Sequence, residues 1–528
     1  MQQFTENADV VIIGSGPMGA TYARVICDAR PDVKVLLVEA GPIIADPPGL
    51  HVVNIADPKE RERAQIASQG PHQFRYELPA TSGTASNIVG QERGRALVTR
   101  PGLFAVGSGD LQGNGFPAAQ ESCNVGGMGS HWFGSCPRPN KLEAIDFIEP
   151  EKLESAFVLA ERLLQVSNTQ FLASGFAKHV ERILGKELNK HRTPDRYVQP
   201  MPMAVKLTRD GVRRAGPNII LDKLVSSEQT NFELRPETLC EHVIMEGERA
   251  IGVRLRNRKN GEAAAVRAKY VVIAGDSLRT PQLLFASKIR PKALGHYLNE
   301  HPQVSILAEV DGIGPDTIHG NEKGNATAMS DSKAVTIASS GVTWIPYEGD
   351  DFPFSGMLVQ IDPDTVPRSE EDRRTRRPLI SVHLFGAQEL RYENRLEFSE
   401  TETDWIGMPA MKIRFTLSQR DLETLERGKA EVLRLSHILG KPLDGEAPWV
   451  LPSGSSLHYQ GTVRMGRAND GTSVCDTNSR VWETENVYVA GNGVIPTSTA
   501  CNPTLTSMAL SIIGANDILC RLAKPLPS

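Results

Sequence analysis

A glycine-rich turn and an acidic residue near the N-terminus are spaced for dinucleotide binding. Residues 14–19 read GSGPMG, and Glu39 follows Gly19 by twenty positions. Gly14 permits the tight turn, Gly16 lets a pyrophosphate approach the backbone, and Gly19 lets the following helix pack closely on the strand. The Glu39 carboxylate can accept both ribose hydroxyls, and its charge argues against a 2′-phosphate. These residues predict a bound dinucleotide cofactor.

The elements around this turn decide between a binding site and an ordinary turn, because a glycine turn between strand and helix is often purely structural. The apolar run at residues 9–13 predicts a buried strand, and residues 20–29 predict a helix. A second apolar strand is expected at residues 33–38, ending at Glu39. The diphosphate would then lie at the helix N-terminus, where unpaired N–H groups favour negative charge. The context favours the binding site.

The C-terminal region carries a second strand and glycine turn. Residues 485–493 (ENVYVAGNG) predict the strand and its turn. A helix is expected to begin within residues 502–510, with Pro503 in its first turn, where a missing N–H does no harm. We expect this segment to receive the far end of a long cofactor. The chain therefore leaves the nucleotide-binding domain and returns to it.

The intervening chain predicts both helices and strands. Helices are expected at residues 151–165 and 171–188, several strands at 231–258, and a strand at 269–274 that precedes Gly275 and a helix starting near Thr280. Between residues 302 and 449, alternating apolar runs predict an antiparallel sheet in a second, inserted domain. These runs are residues 304–310, 335–346, 379–385 and 395–398.

Composition narrows the class of protein. A chain of 528 residues with 40% hydrophobic content can form several domains, and a net charge of −5 gives no basic surface for nucleic acid. The basic run at residues 373–377 (RRTRR) is interpreted as a solvated loop. The N-terminus lacks the features of a signal peptide, and no uninterrupted apolar stretch approaches the length of a membrane span. We therefore expect a cytoplasmic protein with no membrane partner.

Neither cysteines nor histidines are spaced for a metal. The seven cysteines include no CxxC pair and are odd in number, which indicates reduced thiols. His296 and His301 stand five residues apart, and no third histidine or carboxylate stands at ligand spacing. No metal site is predicted.

Five motifs spread over most of the chain resemble the glucose-methanol-choline family of flavin oxidoreductases. They are residues 14–19 (GSGPMG), 126–128 (GGM), 280–284 (TPQLL), 458–466 (HYQGTVRMG) and 502–506 (NPTLT). Within that family the chain looks most like the pyranose oxidase branch. It is most similar to the compact bacterial members, some of which oxidise C-glycosides at the C3 hydroxyl.

The resemblance implies FAD and an α/β fold. A discontinuous Rossmann-like FAD-binding domain is expected at residues 1–145, 206–300 and 450–528. An inserted α+β substrate domain, built on a six-stranded and largely antiparallel sheet, is expected at residues 146–205 and 301–449. The expected cofactor-binding residues are Gly14, Gly16, Gly19, Glu39, Gly127, Met128, Ser130, His131, Asn492, Pro503 and Thr504.

His458 and Asn502 fall on the catalytic positions of the family. Removing a hydride from an alcohol carbon requires the hydroxyl proton to leave, and a neutral imidazole titrates near working pH. The resemblance therefore implies His458 as the base and Asn502 as the residue that orients the substrate oxygen. Taken without the motif, His458 also suits a structural hydrogen bond, and Asn502 before Pro503 also suits a helix cap.

His131 lies where fungal pyranose oxidases carry a covalent bond to the flavin within an STHW segment. Here residues 129–132 read GSHW, and Phe133 stands where that branch has a threonine. Covalent and non-covalent attachment both stay open. The loss of the threonine hydroxyl also leaves fast reaction with oxygen in question, because hydrogen bonding near the flavin stabilises charge developing on reduced oxygen.

Residues 351–356 (DFPFSG) resemble the mobile substrate loop of the branch. The resemblance implies that Asp351, Phe352, Phe354 and Ser355 cover the sugar and exclude water. The alternative is an ordinary hydrophobic turn that anchors the inserted sheet.

These expectations combine into FAD-dependent oxidation of a secondary hydroxyl on a pyranose or glycoside, with C3 of glycosides, including C-glycosides, favoured. Oxygen or a quinone would reoxidise the flavin, and a monomer or weak homodimer is expected. One alternative is oxidation at C2 of free glucose. Two others come from different classes: a lyase that uses FAD structurally, and a flavin-binding protein without turnover.

Overall fold

The structure is a computed structural model, and it describes most of the chain. The described residues are 4–69, 73–79, 88–92, 95–106, 115–172, 174–208, 211–226, 231–313, 341–361, 378–443 and 447–523. The basic run at residues 373–377 and part of the strand expected at 335–346 lie outside these ranges.

Strands and helices alternate in the first half of the chain, and strands dominate the middle. In chain order the strands are β1 Glu6–Ile13, β2 Val35–Val38, β3 Gln73–Pro79, β4 Ile88–Glu92, β5 Arg95–Ala105, β6 Gln120–Glu121, β7 Gln199–Pro200, β8 Val205–Thr208, β9 Gly211–Arg214, β10 Phe232–Arg235, β11 Thr238–Glu246, β12 Arg249–Asn257, β13 Ala263–Ile273, β14 Gln303–Val310, β15 Val342–Ile345, β16 Phe354–Ile361, β17 Leu379–Gly386, β18 Arg395–Thr403, β19 Pro409–Arg414, β20 Gly440–Pro442, β21 Trp449–Val450 and β22 Val487–Val489. The α-helices are α1 Pro17–Ala29, α2 Pro58–Ser68, α3 Pro150–Leu164, α4 Gly175–Leu188, α5 Pro217–Leu221, α6 Lys223–Ser226, α7 Asp276–Ala286, α8 Gln419–Leu439 and α9 Thr504–Leu522.

The first sheet joins both ends of the chain, as the sequence predicts. Its strand order is β10-β2-β1-β13-β12-β11, and β22 also pairs with β13. Strands β10, β2, β1, β13 and β22 pair in parallel. Strand β12 pairs antiparallel with both of its neighbours, β13 and β11. The long β13 pairs with β12 over its first half and with β22 over its last residues. The C-terminal strand thus lies in the same sheet as the N-terminal fingerprint strand, with β13 between them.

Local sequence explains the predicted strand–turn–helix unit. Val10, Val11 and Ile12 are fully buried, as expected for a strand covered on both faces. Gly14 has a φ of 100°, and a Cβ there would overlap the carbonyl oxygen of Ala274 at the end of β13. Only glycine satisfies both conditions without strain. The predicted fingerprint elements are therefore confirmed.

The second sheet is antiparallel, as predicted. Its order is β20-β14-β17-β16-β15-β7, with β21 also paired to β14. One face presents apolar side chains, such as Ile306 and Val382, to a second core that α4 and α8 cover. The opposite face carries Phe385 and polar residues, including Ser305 and His383. This face lies toward His458, whose ring is near Phe385.

The run at residues 395–398 is not part of that sheet, contrary to the prediction. It belongs to β18, which pairs with β19 in a separate two-stranded ribbon. Leu396 packs instead against Phe116, Leu278 and Tyr459, in a small core beside the first sheet. An alternating run predicts a strand but not its pairing partner, since the same pattern suits any half-buried ribbon.

Residues 351–356, which resemble the substrate loop of the branch, form a turn that runs into a strand. Phe354 begins β16, and the Phe352 and Phe354 side chains are buried in the second core. Ser355 is also buried, and its hydroxyl accepts a hydrogen bond from Trp344 Nε1 at 3.0 Å. Only Asp351 is exposed. Aromatic side chains in this run pack into the core, because two phenylalanines bury more apolar area there than in a turn.

Helix α7 begins earlier than expected, and helix α3 packs on the first core instead of the second. Helix α7 begins at Asp276, four residues before the predicted start, and keeps Pro281 inside its first turns. Helix α3 buries Phe157 and Leu164 in the first core, whereas α4 buries its apolar face in the second. The segment 146–205 is therefore shared between the two cores.

Helix α9 is the most apolar helix among the described residues. Over Thr504–Leu522 it is long and apolar enough to cross a membrane by length and composition, but 67% of that window is buried inside the protein. Its residues pack against α1 and α3 in the first core. Its hydrophobicity is explained by this position as a core helix.

Candidate active site

The glycine turn and Glu39 form one connected unit at the end of the first sheet. Glu39 Oε2 accepts hydrogen bonds from the Ser15 backbone N–H at 3.1 Å and the Ser15 hydroxyl at 2.8 Å. Its other oxygen accepts the Gly41 N–H at 2.9 Å. Burial raises the pKa of Glu39, and these donors oppose that rise. The carboxylate is held in place beside the turn by backbone groups.

A second glycine turn closes onto the first. The Gly126 N–H donates to Ser15 Oγ at 2.9 Å. Gly127 has a φ of 50°, and a Cβ there would lie 3.5 Å from Gly16 Cα. Met128 and Ser130 follow in the same short 3-10 turn, where Ser130 is fully buried. Gly16 and Gly127 carry no side chains, so the backbones of the two turns come close together.

Both helix N-termini at this site are open. Gly16 caps α1 and Pro503 caps α9, and neither supplies a side-chain hydrogen bond to its helix. N–H groups in the first turn of a helix have no partner within the helix, so they can bind an anion. Thr504 begins α9, and Asn492 supports this region by accepting the Ser507 hydroxyl at 2.7 Å. These residues fit a long cofactor with a diphosphate and a ribose, such as FAD.

His131 packs against β5, and one of its ring nitrogens makes no hydrogen bond in the described part of the chain. Its Nε2 is 3.3 Å from Asn124 Oδ1, while its Nδ1 is buried without a hydrogen-bond partner in the described part of the chain. The ring lies against Gly102, where a Cβ would overlap it. Burial lowers the pKa of His131 to about 4, so the imidazole is neutral at neutral pH.

The predicted catalytic pair meets where the two sheets face each other. His458 Nε2 lies 3.3 Å from Asn502 Nδ2, across 44 residues of sequence. Asn502 Oδ1 is buried and has no partner among the described residues. Asn502 does not cap α9, because Pro503 occupies the cap position. The helix-cap alternative for Asn502 is therefore wrong, and its side chain is turned toward His458.

The backbone at His458 is strained and tightly held. Leu457 has a φ of 60°, which is costly for a residue with a branched side chain. Glu300 opposes this strain by accepting the Gly454 N–H at 2.6 Å and the Ser456 hydroxyl at 2.7 Å. The Ser456 oxygen accepts the His458 N–H at 3.2 Å. These bonds fix the direction in which His458 leaves the chain.

Glu300 also makes stability depend on pH. Burial raises its pKa to about 7, while its hydrogen bonds from Ser456 and Gly454 lower it. The folded state then holds a proton that the unfolded state releases above its lower pKa, so stability falls as pH rises toward 7. The expected loss is about 3 kcal/mol over that interval. In Glu300→Gln, the melting temperature should change less between about pH 5 and about pH 8 than in the wild type.

The control for this prediction is Glu151→Gln, which alters an exposed carboxylate at the start of α3. That variant should keep the wild-type dependence of melting temperature on pH. An unchanged pH dependence in Glu300→Gln would contradict the assignment of this titration to Glu300.

Glu143 is a site residue that the sequence did not indicate. Its Oε1 accepts the N–H groups of Ala500 and Cys501 at 2.7 and 2.9 Å, and its other oxygen accepts the Asn140 N–H. It therefore holds the loop that presents Asn502. No local signal marks this role of Glu143, because Ala500 and Cys501 are more than 350 residues away from it.

The structure brings together most of the predicted residues, but not all. Phe385 on β17 stacks near His458, with ring centroids 5.4 Å apart, so the polar face of the second sheet borders the pair. Ser355 pairs with Phe385 across the sheet, whereas Phe352 and Phe354 face the opposite core. In the described ranges, no three His, Cys, Asp or Glu side chains are grouped to hold a metal. The seven cysteines are free thiols.

A dinucleotide cradle on one sheet, with a histidine and an amide facing it from the domain junction, defines a two-domain, dinucleotide-dependent oxidoreductase. The family models for the GMC oxidoreductase match residues 142–303 and 391–511. The chain belongs to the GMC oxidoreductase family, and it is an FAD-dependent oxidoreductase.

Similar proteins extend over nearly the whole chain. The chain is 42% identical to a C-glycoside 3-oxidase of Microbacterium trichothecenolyticum, over 99% of both chains. It is 28% identical to a pyranose 2-oxidase of Tricholoma matsutake, over 97% of this chain and 93% of that protein. Formate oxidase of Aspergillus oryzae shares the fold with a TM-score of 0.65 at 15% identity, covering 98% of this chain and 99% of that one. The predicted family and its pyranose oxidase branch are confirmed.

Proposed function

We propose that this protein oxidises a secondary hydroxyl of a pyranose or glycoside to a ketosugar, with C3 of glycosides, including C-glycosides, as the favoured position. The observation that carries the substrate is the 42% identity, over 99% of both chains, to a C-glycoside 3-oxidase. Oxygen or a quinone takes the electrons in the second half of the cycle.

His458 is the proposed base and Asn502 the proposed orienting residue. The Nε2 atom of His458 and the amide of Asn502 are 3.3 Å apart, so one substrate hydroxyl can contact both. The Asn502 amide N–H can donate to the oxygen of that hydroxyl without competing for its proton. The buried Asn502 Oδ1 lacks a partner in the described chain and can accept from a neighbouring sugar hydroxyl. His458 Nε2 takes the hydroxyl proton as the C–H bond breaks.

Bound FAD supplies the acceptor for the two electrons that leave the alcohol carbon as hydride. The proposed FAD-binding residues are Gly14, Gly16, Gly19 and Glu39 at one end of the cofactor. The others are Gly127, Met128, Ser130, His131, Asn492, Pro503 and Thr504. The open N-termini of α1 and α9 and the Glu39 carboxylate support this assignment. A covalent bond through His131 stays a proposal, supported by its neutral ring and unused nitrogen.

The remaining proposals concern organisation and location. We propose residues 1–145, 206–300 and 450–528 as the FAD-binding domain, and 146–205 and 301–449 as the substrate domain. Of the proposed substrate-loop residues, Asp351 is exposed in the turn before β16, and Ser355 pairs with Phe385. We further propose a cytoplasmic monomer or weak homodimer.

The second candidate is a pyranose 2-oxidase or dehydrogenase that acts on free glucose. The 28% identity to a pyranose 2-oxidase supports it. Rotation of a pyranose ring in one pocket exchanges C2 and C3, so both reactions can use the same His458 and Asn502. The two candidates are separated by substrate preference and by the position of the new ketone.

The test is an anaerobic visible spectrum of the purified holoprotein before and after adding puerarin, an aromatic C-glycoside, or glucose. We expect the flavin absorbance to bleach faster with the C-glycoside, and the product to carry its ketone at C3. Faster bleaching by glucose, with a 2-keto product, would favour the second candidate. Bleaching by neither would contradict sugar oxidation and favour a lyase or non-catalytic role. If His131 binds the flavin covalently, acid precipitation of the same sample should leave the yellow colour in the protein pellet.

A further inference from the structure

A second histidine lies directly behind His458. His301 Nδ1 is 2.9 Å from His458 Nδ1, and the two ring centroids are 4.8 Å apart at an angle of 67°. His301 is 1% exposed, and Phe385 packs near both rings. The nitrogen of His458 that faces His301 is the one turned away from Asn502. His301 therefore contacts the proposed base on the side opposite the substrate.

His301 is held at its other nitrogen as well. Its Nε2 lies 3.1 Å from Thr499 Oγ1 and 2.9 Å from Gln460 Nε2. Thr499 and Gln460 also contact each other at 3.2 Å. All three side chains are buried. Burial and the neighbouring His458 lower the pKa of His301 well below its usual value, so its ring is neutral.

The short contact between the two Nδ1 atoms allows one hydrogen between them. If His301 donates that hydrogen, neutral His458 carries its own proton on Nε2 and cannot accept another there. If His458 donates it, Nε2 carries a lone pair and no proton, and this lone pair points toward the Asn502 amide. Only the second arrangement makes His458 a base for a hydroxyl beside Asn502.

We propose that His301 is a positioning residue that accepts the Nδ1–H of His458 and so keeps the Nε2 lone pair of His458 available to the substrate. The inference rests on the proposed oxidation, in which His458 is the base. His301 then carries its own hydrogen on Nε2 and donates it to the Gln460 amide oxygen, with the Gln460 amide nitrogen toward Thr499. In the structure the Gln460 amide has Nε2 toward His301 and Oε1 toward Thr499. The proposal therefore requires this amide to be turned over, which gives the His301 Nε2–H an acceptor.

The partner at Nδ1 of His458 is thus a neutral imidazole. The nearby carboxylates are Glu300, which binds Gly454 and Ser456, and Glu143, which binds the loop before Asn502. When His458 takes the substrate proton, the hydrogen bond to His301 stabilises the positive charge that forms.

The test compares His301→Leu, which has no acceptor, with His301→Gln, whose amide oxygen can accept the Nδ1–H of His458. His296→Gln is the matched control, since His296 lies in the same segment but is half-buried against Tyr392. The readout is the rate of anaerobic flavin reduction by the C-glycoside as a function of pH. We expect His301→Leu to be about 100-fold slower or more, and His301→Gln to stay within about tenfold of wild type.

The pH profile separates this role from a structural one. In His301→Leu, the acidic limb of the rate profile should move to lower pH, because protonated His458 loses the partner that accepts its Nδ1–H. In His301→Gln and His296→Gln the limb should stay near its wild-type position. Equal losses in His301→Leu and His301→Gln, or a wild-type rate in His301→Leu, would overturn the proposal.

A measurement without turnover distinguishes failure of this inference from failure of the proposed function. Nitrogen-15 spectra of the histidine-labelled holoprotein report which ring nitrogen of His458 carries its proton, with the signal assigned by its loss in His458→Gln. We expect Nδ1 to be protonated and Nε2 to be free above the acidic limb. The opposite tautomer would overturn the role of His301. If the expected tautomer is found but no sugar bleaches the flavin, the proposed function fails and the inference about His301 does not.

Discussion

Replacing His458 with alanine is expected to slow anaerobic flavin reduction by the sugar about 10³- to 10⁴-fold. The substrate hydroxyl then has no base within reach, since Asn502 is an amide that does not accept a proton at neutral pH. FAD binding should be unchanged, because His458 is not a residue of either glycine turn and lies against Asn502, His301 and Phe385. Stopped-flow absorbance at saturating sugar gives the rate, and the flavin spectrum gives the occupancy.

The control for His458→Ala is His242→Ala, at a half-buried histidine on β11, an edge strand of the first sheet. It should reduce its flavin at the wild-type rate. The acidic limb of the wild-type rate profile should be absent from His458→Ala, because the titrating base is gone. A rate within tenfold of wild type in His458→Ala would assign the proton transfer to another group.

Replacing Gly16 with valine is expected to raise the dissociation constant for FAD about 100-fold or more, which corresponds to about 2.7 kcal/mol. Gly16 has a φ of −61°, and a Cβ there would meet nothing closer than Gly126 O at 4.0 Å. The protein alone therefore tolerates a side chain at this position. A diphosphate at the N-terminus of α1 does not, because the side chain would occupy the space the phosphate needs.

Gly19→Ala gives the contrasting result. A Cβ at Gly19 would overlap the Gly14 carbonyl, so this change should lower the melting temperature of the apoprotein itself. Gly16→Val should leave that melting temperature within a few degrees, apart from about 1 kcal/mol for a poorer helix cap. Titration of each apoprotein with FAD, followed by flavin fluorescence, measures affinity. Wild-type affinity in Gly16→Val would contradict the predicted path of the diphosphate.

The dinucleotide half of the molecule could be predicted closely from the sequence. Its signals are local: apolar runs that make buried parallel strands, a turn that only glycine can adopt at Gly14, and an acid at the end of β2. Each signal lies within about forty residues and needs no knowledge of the rest of the fold. The return of β22 to the same sheet followed from the second glycine turn.

The second domain was predicted less well. Its alternating runs gave the antiparallel strands, but not the pairing of β18 with β19 or the placement of α3 on the first core. Residues 351–356 resembled a loop, yet Phe352 and Phe354 are core residues. A short motif does not say whether its aromatic side chains face a substrate or a core, since that depends on which helix covers the sheet.

The sequence by itself determined the cofactor class, the two strand–turn–helix units that hold it, and the identity of the histidine and asparagine proposed for catalysis. The tertiary structure decided how that pair is supported: His301 lies 157 residues from His458, and Glu143 lies more than 350 residues from the loop it holds. The conformation of turns and strands depends mainly on neighbouring residues, so it can be predicted from local sequence. The orientation of a buried side chain is set by hydrogen-bond partners that only the folded chain brings together.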